Sequence, residues 1–204
     1  MDTTLTRSQL VRWRIAICAV FLASGLSVAT WASRVPAIRE SLGIENSGVG
    51  LLLLGMGVAS IIGLTIAPAV MARVGARRGM LVALILVGVG LGVIGFGSDV
   101  AQVFGVALLG LAIFGFGNGA VDVMMNVEGA ALEKATNRTI LPLLHAFFSF
   151  GTVIGAGLGF FAVRLQIPVV AHCVAMGIVI LAVAFLAIAN IPVRDETPDA
   201  APAA

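Results

Sequence analysis

Three polar residues share one apolar stretch of this sequence and could do chemistry together. Asn118, Asp122 and Asn126 recur at i, i+4 and i+8, which puts them on one face of a helix beside Gly115 and Gly119. An ionisable group in hydrocarbon costs about 2.5–3.5 kcal/mol on insertion scales, so this stripe should face a bundle interior or a watery cavity. A carboxylate that gains and loses a proton there is what proton coupling requires, and the flanking amides can hydrogen-bond a polar solute. A purely structural hydrogen-bond network between helices is the competing reading. His145 lies three residues after Pro142, about one turn into the next apolar run. It could face Asp122 across the shared hairpin, helping the proton or bonding the solute. Taken alone, an interfacial histidine is more often a packing or solvent-contact residue.

Other charges read as supporting parts. Arg34 and Arg39 flank Pro36; Arg39 reads as solvated, whereas Arg34, close to Trp31, could reach into an outward cavity. Glu128 is six residues beyond Asp122, on a different face, and reads as a structural partner for the cluster Arg73, Arg77 and Arg78. Cys18 and Cys173 sit deep in separate apolar runs and read as small buried hydrophobes. The Gly88–Gly92 and Gly115–Gly119 clusters lie within apolar helices with no preceding strand, so they are not nucleotide loops. Gly151, Gly155 and Gly159 form small-xxx-small steps, which helix packing explains. No nucleophile–base pair or metal cluster appears, so enzyme chemistry, a cofactor and a metal are not expected.

The elements that must position these residues are membrane helices. The chain has 204 residues, 60% hydrophobic and 11% charged, too apolar for a soluble domain. Its net charge of +2 and scattered Lys and Arg leave no nucleic-acid footprint. A spanning helix takes about 20 mostly apolar residues. Six such runs extend from about Ile15 to Ala37, Val49 to Met71, Met80 to Gly97, Asp99 to Leu132, Leu143 to Val163 and Pro168 to Ile191. At ~1.5 Å per residue, Asp122 falls roughly 9 Å from the middle of the fourth. The first run is too long for a signal-peptide core, and more follow it. The expected organisation is a cytoplasmic segment at 1–14, a six-helix bundle at 15–192 and a disordered cytoplasmic tail at 193–204. With the N-terminus inside, nine Lys and Arg fall on the cytoplasmic side and three (Arg34, Arg39, Arg164) outside. That bias predicts a multi-pass protein of the cell inner (plasma) membrane with both termini cytoplasmic.

These residues resemble the N-terminal half of a bacterial major facilitator superfamily transporter over essentially the whole ordered length. Members carry a Gly-x-x-x-Asp-Arg/Lys-x-Gly-Arg-Arg/Lys motif in the second–third loop. In the stretch Pro68 to Arg78, Arg73, Gly75 and Arg77 match, while Pro68 replaces the Gly and Ala72 the Asp. The resemblance implies a conformational latch in this loop, with Glu128 a candidate substitute for the missing acid. The run from Gly117 through Asp122 to Asn126, followed by Leu143, Leu144, His145 and the Ser149-Phe150-Gly151 step, looks like the hairpin of the fucose-permease-like branch. In that branch the fourth-helix acid takes part in proton and sugar handling. The branch's sugar symporter also has a first-helix carboxylate. Here the first span offers Ser24, Ser27, Thr30 and Trp31 but no acid, so sugar specificity does not transfer.

The implied fold is an all-α membrane protein, one half of a major-facilitator-type bundle with a nested 3+3 inverted repeat. An echo of Gly57 to Leu64 in Gly151 to Leu158 is the only trace of that repeat in the sequence. The expected partners are the lipid bilayer, a small polar solute, a proton, and a second six-helix half or a second copy. A truncated or non-transporting membrane assembly module is the alternative.

Overall fold

A computed structural model describes residues 6–192; the expected tail at 193–204 and the first five residues lie outside the described residues. The described chain is helical throughout. Helix α1 (Arg7–Ala32) starts where Thr6 and Gln9 cap each other, the Thr6 N–H donating to Gln9 Oε1 at 2.8 Å. An elbow at Ser33 and Arg34 leads into α2 (Val35–Leu42), with Pro36 in its first turn and Gly43 ending it in a left-handed conformation. Then follow α3 (Asn46–Gly95), a π-helical turn (Phe96–Val100), α4 (Phe104–Thr136), α5 (Leu141–Arg164) and α6 (Val169–Ile188). Five stretches are long and apolar enough to cross a membrane, among the described residues.

One of the five carries two of the expected runs. At 50 residues α3 would be about 75 Å long if straight, more than twice a hydrocarbon core. It breaks at Gly75, whose φ of 79° and ψ of 157° lie outside the helical region and suit only glycine. The arms on either side pack on α4 in opposite senses. Along residues 46–74, Met56 abuts Gly115, Ser60 abuts Gly119 and Gly63 abuts Phe116 and Ala120, so numbers rise together. Along residues 76–95, Gly79 faces Met124, Gly90 faces Phe114 and Ile94 faces Gly110, so they run opposite ways. The second arm also runs against α6, Gly88 meeting Gly177 and Gly95 meeting Val170.

Glycines set these close approaches. A Cβ on Gly25 would collide with the Phe148 carbonyl, and one on Gly151 with the Leu22 carbonyl; Gly63 and Gly119 meet the Phe116 and Ser60 carbonyls in the same way. A shift of 94 residues carries Leu22, Gly25 and Leu26 of α1 onto Phe116, Gly119 and Ala120 of α4. A shift of 88 carries Ser60 and Gly63 of α3 onto Phe148 and Gly151 of α5. The α1–α5 and α3–α4 contacts are therefore one contact used twice. Its register is six residues away from the echo in the sequence, because Gly63, not Gly57, takes the place of Gly151.

The core holds Trp13, Ile17 and Phe21 of α1 with Leu84, Leu91, Met124, Leu132 and Ile180. Large apolar side chains also cover the outside, among them Leu54 and Ile61 of α3 and Phe150, Val153, Phe160 and Phe161 of α5. An apolar outside around a packed helical core suits lipid as the solvent. Two buried hydroxyls of α1 are satisfied within the helix: Ser27 donates to the Ser24 carbonyl at 2.7 Å and Thr30 to the Leu26 carbonyl at 2.8 Å.

Candidate functional site

The polar stripe of α4 lies where α1 and α4 cross. Ser24 Oγ donates to Asn118 Oδ1 at 3.5 Å, joining the first and fourth of the expected spans. Asn118, Asp122 and Asn126 are all half-buried, as one face of α4 bordering an opening would be. Asn126 uses its amide locally, Nδ2 donating to the Asp122 backbone carbonyl at 2.8 Å, and so supports the helix at Asp122 rather than its carboxylate. Among the described residues no donor reaches the Asp122 carboxylate.

His145 comes to the same region from α5. Its ring meets the fully buried Phe21 of α1 edge to face, with centroids 5.4 Å apart and an interplanar angle of 81°. His145 is itself exposed. Helices α4 and α5 share little direct packing, so α1 is the spacer that holds the two groups apart. Phe21, Ser24 and Trp31 follow at i, i+3 and i+10 and share one face of α1. Trp31 stacks edge-on against Phe114 at 6.2 Å, one turn of α4 before Asn118. The polar pair Ser24–Asn118 thus sits between two aromatic contacts. Sequence reasoning singled out the α4 and α5 members but passed over Phe21 and Phe114, which look like ordinary core residues. Ser24 was noted only as a first-span hydroxyl.

Arg34 does not join this group. It is buried at the α1–α2 elbow, where Nη2 donates to the Ile167 carbonyl at the α5–α6 turn. The loop residues gather instead at the end of the bundle carrying the α1 N-terminus. Gly75 makes the break, Arg73 and Arg78 are exposed, and Arg77 Nη2 approaches the Ala189 carbonyl at 3.5 Å. Arg77 and Arg12 line a cleft of about 260 Å³ with Gln9 and Asn190. Glu128 is 1% exposed and partnered. The shift of 94 residues that relates α1 to α4 also carries Arg34 onto Glu128, so two buried charges of opposite sign occupy corresponding positions at opposite ends.

Comparison with known proteins adds direction. The chain matches no protein-family model. It is 33% identical over 168 residues to an uncharacterized transporter of Sinorhizobium fredii, covering 81% of this chain and 43% of that protein. It is 32% identical over 150 residues to an uncharacterized MFS-type transporter of Yersinia pestis, covering 74% and 37%. It is 30% identical over 140 residues to membrane protein MosC of Rhizobium meliloti, covering 69% and 33%. The chain therefore spans well under half the length of these relatives. Several long apolar helices together with transporter relatives make it a multi-pass membrane protein.

Proposed function

We propose that this chain is a six-crossing half of a major facilitator superfamily transporter, of the fucose-permease-like branch, moving a small polar solute together with a proton. The reversal of α3 at Gly75 supports counting its arms as two crossings, and the repeated glycine contact supports two inverted three-helix units. The names of two relatives support transport rather than catalysis.

The observation that carries the reading is the half-buried α4 stripe, met by Ser24 of α1 at Asn118, with His145 of α5 against Phe21 of the same α1 stretch. Asp122 is the proton carrier. Asn118 and Asn126 shape the polar face beside it, and His145 assists the proton or bonds the solute. Opening and closing turn on the Gly75 break with Arg73, Arg77, Arg78 and Glu128, and Arg34 holds the opposite end. Because the stripe lies on one side of the bundle, a second six-helix half or a second copy supplies the facing wall. Six crossings keep two copies parallel, so rocking between them gives alternating access. The Lys and Arg bias puts both termini on the cytoplasmic side of the inner membrane.

The test is proton entry into pyranine-loaded proteoliposomes challenged with a panel of neutral sugars and polyols, with crosslinking to count copies. Solute-dependent proton entry by a crosslinkable assembly is expected. An inert monomer would favour the second reading, a membrane assembly module without transport.

A further inference from the structure

At the end of the bundle opposite the α1 N-terminus, a buried guanidinium is only partly served by the protein. Arg34 is 4% exposed; Nη2 donates to the Ile167 carbonyl, while among the described residues no group accepts from Nε or Nη1. His172, in the first turn of α6, is 7% exposed, and neither Nδ1 nor Nε2 has a partner among the described residues. Arg34 reaches the Ile167 carbonyl just before α6, and His172 and Cys173 are buried near the start of α6, so these groups share one small region. Asp99 brings a carboxylate to the same end of α6. Its Oδ2 is engaged at the start of α6, accepting the Val170 N–H at 2.9 Å. The nearby Ser98 hydroxyl donates to the Ile94 carbonyl at 2.7 Å, and Ser41 Oγ donates to the Ser98 carbonyl.

The region is rich in donors and poor in acceptors. Nε and Nη1 of Arg34 and both ring nitrogens of His172 lie buried near the α5–α6 turn without a partner among the described residues, and Oδ2 of Asp99 is already engaged. A charged donor set of this kind is matched by a species that only accepts and carries negative charge. Enclosure favours a compact one, and the Asp99 carboxylate nearby disfavours a second negative charge. The geometry points to a binding site for a compact monovalent anion, chloride or a species of its size, held between Arg34 and His172 and bridging the α1–α2 elbow to α6. This site is remote from Asp122 and does not rest on the transport reading.

Thermal unfolding of the purified protein in nanodiscs tests it, with sodium chloride or bromide titrated against gluconate at constant ionic strength. The wild type is expected to show a saturable upward shift in midpoint with either halide. In Arg34→Gln that shift disappears; in His172→Gln the halide concentration for half-effect rises roughly tenfold, the loss of one good hydrogen bond. A bromide anomalous peak between Arg34 and His172 is expected in crystals. The site is overturned if the wild type shows no saturable response, or if Arg34→Gln responds like the wild type. If Arg34→Gln fails to fold, an unaltered response in His172→Gln or a bromide-free site overturns it instead.

Discussion

Ser24 on α1 and Asn118 on α4 meet at 3.5 Å, and the 94-residue shift that carries the α1 contacts onto those of α4 carries one of these residues onto the other. The pair therefore lies where α1 and α4 cross, one turn from Asp122. A leucine at 118 removes both the amide and the polar lining. Asn118→Leu is expected to cut solute-dependent proton entry about tenfold or more, while Ser24→Ala, losing one long hydrogen bond, costs only a fewfold. Equal loss in the two variants would count against Asn118 as a solute contact.

The glycine contacts make a prediction about stability alone. Gly63→Ala and Gly151→Ala place a methyl group against a backbone carbonyl and should each cost about 1–3 kcal/mol. Gly57→Ala and Gly157→Ala meet nothing within 4 Å and should leave the unfolding midpoint unchanged or slightly raised. Thermal unfolding of the four variants in one detergent compares them. A destabilised Gly57→Ala with a tolerant Gly63→Ala would favour the register of the sequence echo over that of the packing.

The reversal at Gly75 can be read from accessibility. In a background of Cys18→Ala and Cys173→Ala, Ser47→Cys and Arg78→Cys flank the first α3 arm, Arg78 just beyond the Gly75 break, and both positions are exposed. A membrane-impermeant maleimide added to intact cells should label Ser47→Cys, and Arg78→Cys only after permeabilisation. Labelling of both from the same side would remove that arm from the count of crossings. Gly75→Ala forces a non-glycine residue to a φ of 79° and should cost about 1–2 kcal/mol in the same unfolding assay.

His145 stands against Phe21 of α1 and is exposed. His145→Ala should lower solute-dependent proton entry about tenfold, whereas His145→Gln, which keeps a hydrogen-bonding group, retains most of it. Equal loss in both variants would mean that the imidazole's charge, and not its hydrogen bonding, is what matters.

What was legible in the sequence is what one helix encodes by itself. The i, i+4, i+8 spacing of Asn118, Asp122 and Asn126 needs only helical periodicity, and the apolar runs need only length. The chain between residues 46 and 95 divides as the two runs suggested, although its backbone stays helical up to Gly75 on either side. Relationships between helices were not legible. Nothing local pairs Ser24 with Asn118, sets Phe21 against His145, or turns Arg34 toward Ile167 instead of an outward cavity. The repeat register was also hidden. Gly57 and Gly63 look alike as letters, and only the approach of the Phe116 carbonyl singles out Gly63.

The central claim is that Asp122 carries the proton, and a single comparison tests it most directly. Wild type and Asp122→Asn are reconstituted side by side, and proton entry and solute exchange are measured with the panel member that gives the largest wild-type signal. The account predicts that Asp122→Asn loses solute-dependent proton entry while still exchanging that solute across the membrane. Proton entry in Asp122→Asn at the wild-type rate would contradict it.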